Sequence, residues 1–330
     1  MQKQKILINA ITSITQIVLI AVILFLLYRF LLDTIGIEQL GIWSLVIATT
    51  SVTQIANFGL SGSVAKFVAK YVAREEAENV SGVIQTASIS VAVIIGTILL
   101  FTYPVIKWLL GLIIPVDSLR IALYILPYAL LALWLLMITS IFQGGLDGYQ
   151  RIYFRNLLLV GGALLNVVLC YILAPKYGLA GVAYARVIQV LTILVCSWLL
   201  LKKCLPTLPL FPFKWNRSIF KEVIGYGVNF QIISISVMLC DPITKALLSK
   251  FGGLSMVGYY EMASRMVGQF RALIVSANQV LVPAIADLKE KTPERIHSVY
   301  QTSYQEQSGL NNILIYQVFR QELFFLSPLW

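Results

Sequence analysis

An all-α, polytopic integral membrane helix bundle is predicted by three observations: composition, the length of the apolar runs, and an internal repeat. Hydrophobic residues make up 58% of the 330 residues and charged residues 12%, against roughly 25% charged in an average soluble domain. About eight stretches reach the roughly 20 apolar residues that cross a hydrocarbon core: 9–32, 42–65, 82–112, 119–145, 152–174, 178–201, 223–248 and 256–286. The repeat has an offset of 217. The segment from Thr34 to Trp43, with Gly36 and Gly41, returns as Phe251 to Tyr260, with Gly253 and Gly258, and each copy leads into a long apolar helix. Parallel copies of this kind are a common plan of secondary transporters, in which substrate is held where the copies meet.

The first span follows Lys3 and Lys5, exceeds the roughly 7–15 apolar residues of a signal peptide and lacks a small-residue cleavage site, so it reads as a retained helix. The second carries a polar stripe of Thr50, Gln54, Asn57 and Ser61 at spacings of four, three and four. Spans three to six are almost free of charge; their glycines, Gly144-Gly145, Gly161-Gly162, Gly178 and Gly181, lack the context of a phosphate loop and read as sites of close helix packing. After the sixth, Pro206, Pro209 and Pro212 stand among basic residues in a stiff linker. The seventh holds Asn229, Gln231, Asp241 and Lys245, with a kink expected at Pro242, and the eighth holds Glu261, Arg265, Arg271 and Asn278. The expected organisation is a six-helix bundle over 1–201, a cytoplasmic linker over 202–221, the start of a second bundle with two helices over 222–304, and an atypical tail over 305–330. Two full copies would exceed the chain's 330 residues, so the second bundle is read as incomplete and the chain as C-terminally truncated, a short protein that dimerises being the alternative.

A net charge of +10 would suggest nucleic acid in a soluble protein, but here the basic residues alternate by loop. Fifteen fall in one set of loops (Lys3 and Lys5; Lys66 to Arg74; Arg151 and Arg155; Lys202 to Lys221; Lys289 to Arg295) and six in the other. The positive-inside bias therefore puts the N-terminus in the cytoplasm, and the charge reports topology and contact with anionic membrane lipids rather than a nucleic-acid partner. Cys170, Cys196, Cys204 and Cys240 have no metal-ligand or disulfide spacing, and His297 has no ligand partner nearby, so no metal or cofactor is expected. No nucleophile with a base and no carboxylate pair stands at useful spacing, which disfavours an enzyme.

Ionisable groups inside spans cost at least about 2.5–3.5 kcal/mol on insertion scales and are functional candidates by default. Arg271 lies near the midpoint of the eighth span, with Asn278 seven residues on along the same face. The offset superposes Gln54 on Arg271 and Ser61 on Asn278, as expected if both helices line one cavity between the copies. For Gln54 and Asn57, hydrogen bonding between helices is the competing reading. For Arg271, cavity lining is favoured because a guanidinium packed between helices without a counter-charge is expensive. Arg265 and Glu261, one turn apart, form either a self-neutralising pair or part of the cavity. Asp241 and Lys245 are read first as a salt bridge near the outer surface, and second as a gate. Arg186 is placed near the outer end of the sixth span, where it can snorkel.

Four segments together resemble the polysaccharide exporters related to O-antigen flippases, in the multidrug/oligosaccharidyl-lipid/polysaccharide superfamily: Gly36 to Trp43, Asn57 to Tyr71, Tyr177 to Ala185, and Asp241 with Lys245 followed by Val257 to Tyr260. The likeness covers roughly residues 5–304, and the missing later helices are the main departure. The resemblance implies a transporter that flips an undecaprenyl-pyrophosphate-linked oligosaccharide across the bacterial inner membrane, without a cofactor and in company with polysaccharide polymerase machinery. It also implies a hydrated, preferably cationic cavity for sugar and pyrophosphate. The alternatives are a multidrug and toxin extrusion antiporter, which asks for acidic residues in the first bundle, and an integral-membrane glycosyltransferase or polymerase, which asks for a long loop with clustered carboxylates.

Overall fold

The computed structural model describes residues 2–51, 60–209 and 214–291. They form seven helical elements, with no strand among the described residues: α1 (Gln2–Ser51), α2 (Leu60–Ala73), α3 (Ala77–Ile113), α4 (Val116–Gly148), α5 (Ile152–Tyr177), α6 (Leu179–Cys204) and α7 (Arg217–Lys291). The chain divides into two compact units, Met1–Leu273 and Ile274–Trp330, of which the second is described only as helical backbone to Lys291.

Two of these elements are not single rods. Gly36 (φ 81°, ψ 166°) interrupts α1, and Gly253 (φ 82°, ψ 173°) interrupts α7. These are equivalent positions of the repeat, and they adopt the same backbone conformation, one that a side chain would strain. Each break reverses the chain. Lys245 and Glu261 would stand about 24 Å apart on a straight helix, yet their side chains are 2.7 Å apart. Tyr28 and Ser44, equally spaced about Gly36, likewise reach one carboxylate. Thus α1 and α7 are each a hairpin of two limbs, as the eight-span reading requires. The break in α7 is at Gly253.

The chain is a multi-pass membrane protein. Five described helices are long and apolar enough to cross a bilayer, from Thr15–Thr50 to Leu179–Cys204. Large apolar side chains stand outward, among them Leu100, Phe101 and Trp108 on α3 and Tyr171 on α5, as lipid around the bundle allows. Inside, α4 packs against α6, α2 and α3. Its Ile125, Leu126, Ile141 and Leu146 share a core with Ile84, Val91 and Ile95 of α3, Val64 and Val68 of α2, and Leu201 of α6. A second cluster joins Leu27, Leu31 and Leu40 of α1 to Cys170 and Ala174 of α5 and Val182 and Ala185 of α6. The tight connection of α5 to α6 uses Gly178 alone, at φ 58°.

The linker is strapped to α3. The Lys214 N–H donates to Gln85 Oε1 at 3.1 Å, the Asn216 N–H to Thr86 Oγ1 at 3.2 Å, and Trp215 Nε1–H to Ser90 Oγ at 3.0 Å. Further along, Ser81 Oγ–H donates to the Thr207 carbonyl at 3.5 Å. Ser81, Gln85, Thr86 and Ser90 are all buried, and polar groups out of water require such partners.

Candidate functional site

The hairpins of α1 and α7 meet limb to limb, and the contact repeats itself across the offset. A Cβ added at Gly41 would run into the Leu254 carbonyl, and one added at Gly258 would run into the Ile37 carbonyl. Since Gly41 is equivalent to Gly258 and Ile37 to Leu254, each copy offers the other the same glycine and the same carbonyl. This is the reciprocity of a twofold interface, here formed inside one chain.

On that axis sits a buried charged cluster. Glu261, 4% exposed, receives Lys245 Nζ on Oε2 at 2.7 Å and Arg265 Nε on Oε1 at 2.7 Å. Lys245 also pairs with Asp241, again at 2.7 Å. From the other hairpin, Ser44 Oγ–H donates to Glu261 Oε2 at 2.8 Å and Tyr28 Oη–H to Oε1 at 3.2 Å. The carboxylate thus has two cations and two hydroxyls around it, enough to offset the large cost of taking it out of water.

The expected ion pair of Asp241 and Lys245 is present, and Lys245, its side chain 5% exposed, links Asp241 to Glu261 as well. Glu261 and Arg265 are not a closed pair, because Lys245, Tyr28 and Ser44 share the same carboxylate. Arg186 also differs, since it turns along its own helix to donate from Nη1 to the buried Gln189 Oε1 at 2.7 Å rather than running outward.

Arg265 stays half-exposed and lines a cavity of about 310 Å³ with Tyr28 and Gln269; Val22, Phe25, Met262 and Met266 supply apolar wall. The wall of that space is almost wholly apolar, and the Arg265 charge at its edge is matched by Glu261. Of the other sequence candidates, Gln54 and Asn57 lie outside the described residues. Ser61, Arg271 and Asn278 fall on helices, but their side chains lie outside them too. His297 and the tail are likewise outside. Sequence reasoning passed over Tyr28 and Ser44, and also Asp147 of α4, which pairs with Arg155 of α5. No group of three or more His, Cys, Asp or Glu able to hold a metal occurs among the described residues.

A family model described as "polysaccharide biosynthesis protein" matches residues 3–289. Among solved structures, the chain is similar to an inward-facing multidrug resistance MATE family transporter of the MOP superfamily, with a TM-score of 0.75 and 18% identity over 97% of this chain and 74% of that one. It is also similar to a MOP superfamily transporter from Pyrococcus furiosus described as having a binding pocket of reverse polarity, with a TM-score of 0.67 and 18% identity over 98% and 72%. An outward-facing MATE family transporter gives a TM-score of 0.67 and 18% identity over 99% and 73%. At these identities the likeness is one of fold. No curated protein matches.

Proposed function

The chain belongs to the polysaccharide biosynthesis protein family and shares the fold of MOP superfamily transporters; we propose that it is a membrane transporter that flips a lipid-linked oligosaccharide, of the undecaprenyl pyrophosphate type, across the bacterial cytoplasmic membrane. The family match over residues 3–289 carries this, and the apolar space between the α1 and α7 hairpins, with half-exposed Arg265 at its edge, supports it. A lipid-linked saccharide needs both characters, a greasy flank for the chain and a cation for the phosphate. Arg271, Asn278, Gln54, Asn57 and Ser61 are the further substrate contacts proposed from the sequence, with Arg271 as a phosphate contact. In this reading residues 1–201 are the first bundle, 222–304 open the second, the N-terminus is cytoplasmic, and polymerase machinery takes up the flipped product.

A cation-driven antiporter asks for a membrane carboxylate ready to take up H⁺ or Na⁺. Glu261 is occupied by Lys245 and Arg265, each at 2.7 Å, which favours the saccharide reading. The test is Arg271→Ala in the producing strain. Surface polysaccharide should be lost while the protein remains in the membrane at its normal level, and Arg271→Lys should restore part of it, because lysine keeps the charge and loses the planar fork. Normal export by Arg271→Ala removes this residue from the path. Disappearance of the protein assigns it a structural role.

A further inference from the structure

The axis cluster is symmetric in backbone and asymmetric in charge. Four positions of the first copy, Leu24, Tyr28, Ser44 and Ala48, are equivalent across the offset of 217 to Asp241, Lys245, Glu261 and Arg265 of the second. Every one is neutral in α1 and charged in α7. The three ion pairs, Asp241 to Lys245, Lys245 to Glu261 and Glu261 to Arg265, therefore lie wholly within the α7 hairpin. What crosses to α1 among the described residues includes the close contacts at Gly41 and Gly258, apolar packing of Ile42, Leu45 and Val46 with Leu254 and Val257, and two hydroxyl donors, with no ion pair in this cluster.

We propose that Tyr28 and Ser44 are a latch joining the two hairpins, one that releases without drawing opposite charges apart. The proposal rests on the transport reading, in which the copies must separate at this end during the cycle. When they part, Glu261 loses two hydroxyl hydrogen bonds, and each of the three groups can be satisfied by water entering the gap. Its pairs with Lys245 and Arg265 travel with it. Had the cations stood on α1, parting would leave a buried carboxylate facing apolar walls, the most expensive way to open a helix interface. Among the described residues, an ion pair does join the first copy to α7 elsewhere, Lys70 with Glu222 at 3.3 Å, and both side chains are about two-fifths exposed. Water screens that pair, so it adds little resistance.

The experiment measures the spacing of the hairpins directly. Asp33 and Lys250 are equivalent, exposed positions, each three residues before its glycine break. Spin labels at Asp33→Cys and Lys250→Cys, in the full chain with its four native cysteines replaced and diluted in lipid vesicles, give a distance distribution by double electron–electron resonance. Tyr28→Phe with Ser44→Ala should raise the ratio of long to short distances at least about tenfold, since hydrogen bonds to a charged group are the stronger kind. Ser44→Lys, which sets a cation of the first copy against Glu261, should remove the long component. An unchanged distribution in the double variant overturns the latch, and so does a widened one in Ser44→Lys. If the double variant does not accumulate, Tyr28→Phe alone must shift the ratio at least about threefold in the same direction, or the proposal fails. The measurement needs no substrate, so an error in the proposed cargo leaves its outcome intact and is detected separately by the export assay.

Discussion

Gly41 and Gly258 close on each other's hairpins in the same way, one against the Leu254 carbonyl and the other against the Ile37 carbonyl. A carbonyl belonging to a helix backbone cannot rotate aside as a side chain would, so neither position has room for a methyl group without moving a limb.

Gly41→Ala and Gly258→Ala should therefore each destabilise the protein by about 1–3 kcal/mol, and by similar amounts. Gly161 is the control. A Cβ there meets nothing within 4 Å, so Gly161→Ala should be neutral or stabilise by up to about 1 kcal/mol through helix propensity. Thermal unfolding in detergent compares the three; a loss at one of the pair without the other would break the symmetry argument.

Removing the carboxylate charge at the axis should be costly in a particular order. Glu261→Gln leaves Lys245 buried with Asp241 as its remaining carboxylate, and about 3–5 kcal/mol is typical of breaking a buried pair. Glu261→Gln combined with Lys245→Met should recover a large part of that loss. A double variant as unstable as the sum of its single changes would show that the two side chains do not act as one unit.

The linker strap gives a local prediction. Trp215→Phe deletes the bond to Ser90 and Thr86→Val the acceptor for Asn216 N–H, each worth about 1 kcal/mol. Cleavage by a protease added on the linker side should quicken several-fold in either variant, while unfolding of the whole protein shifts little. Equal cleavage rates would mean that the strap is not held by these bonds.

Orientation follows from the fifteen-to-six distribution of basic residues. A reporter fused at Lys203 should be cytoplasmic and one at Lys176 periplasmic. Reversal of both would invert the proposed path.

How far the sequence could be read is visible at Gly36 and Gly253. The repeat marked them as equivalent, and the structure gives them matching dihedrals and makes each the turn of a hairpin. The pairs Asp241 with Lys245 and Glu261 with Arg265 were legible too, because side chains one turn apart on a helix are neighbours whatever the fold. The meeting of Lys245 with Glu261, and of both hairpins on one carboxylate, was not. It depends on a chain reversal and on the docking of limbs distant in sequence, neither of which helical periodicity contains. A signal was nevertheless present. Tyr28 and Ser44 lie eight residues either side of Gly36, and Lys245 and Glu261 eight residues either side of Gly253, so folding each segment at its glycine puts all four at one depth. The stripe of Ser81, Gln85, Thr86 and Ser90 escaped notice for another reason: small polar side chains inside an apolar helix carry no sign of what they bind until the linker is placed on them.

The pairing within α7 has a consequence for how the protein is made. Each limb of the hairpin carries its own neutral pair, Asp241 with Lys245 before Gly253 and Glu261 with Arg265 after it. Each can therefore enter the bilayer as it is synthesised with its charges already matched one turn away, which lowers the penalty that a solitary ion would impose on insertion. Partners from α1 are not required at that stage. The bridge from Lys245 to Glu261 then forms as the second limb folds back on the first, so the charges that make the hairpin difficult to insert singly become what closes it once both limbs have arrived.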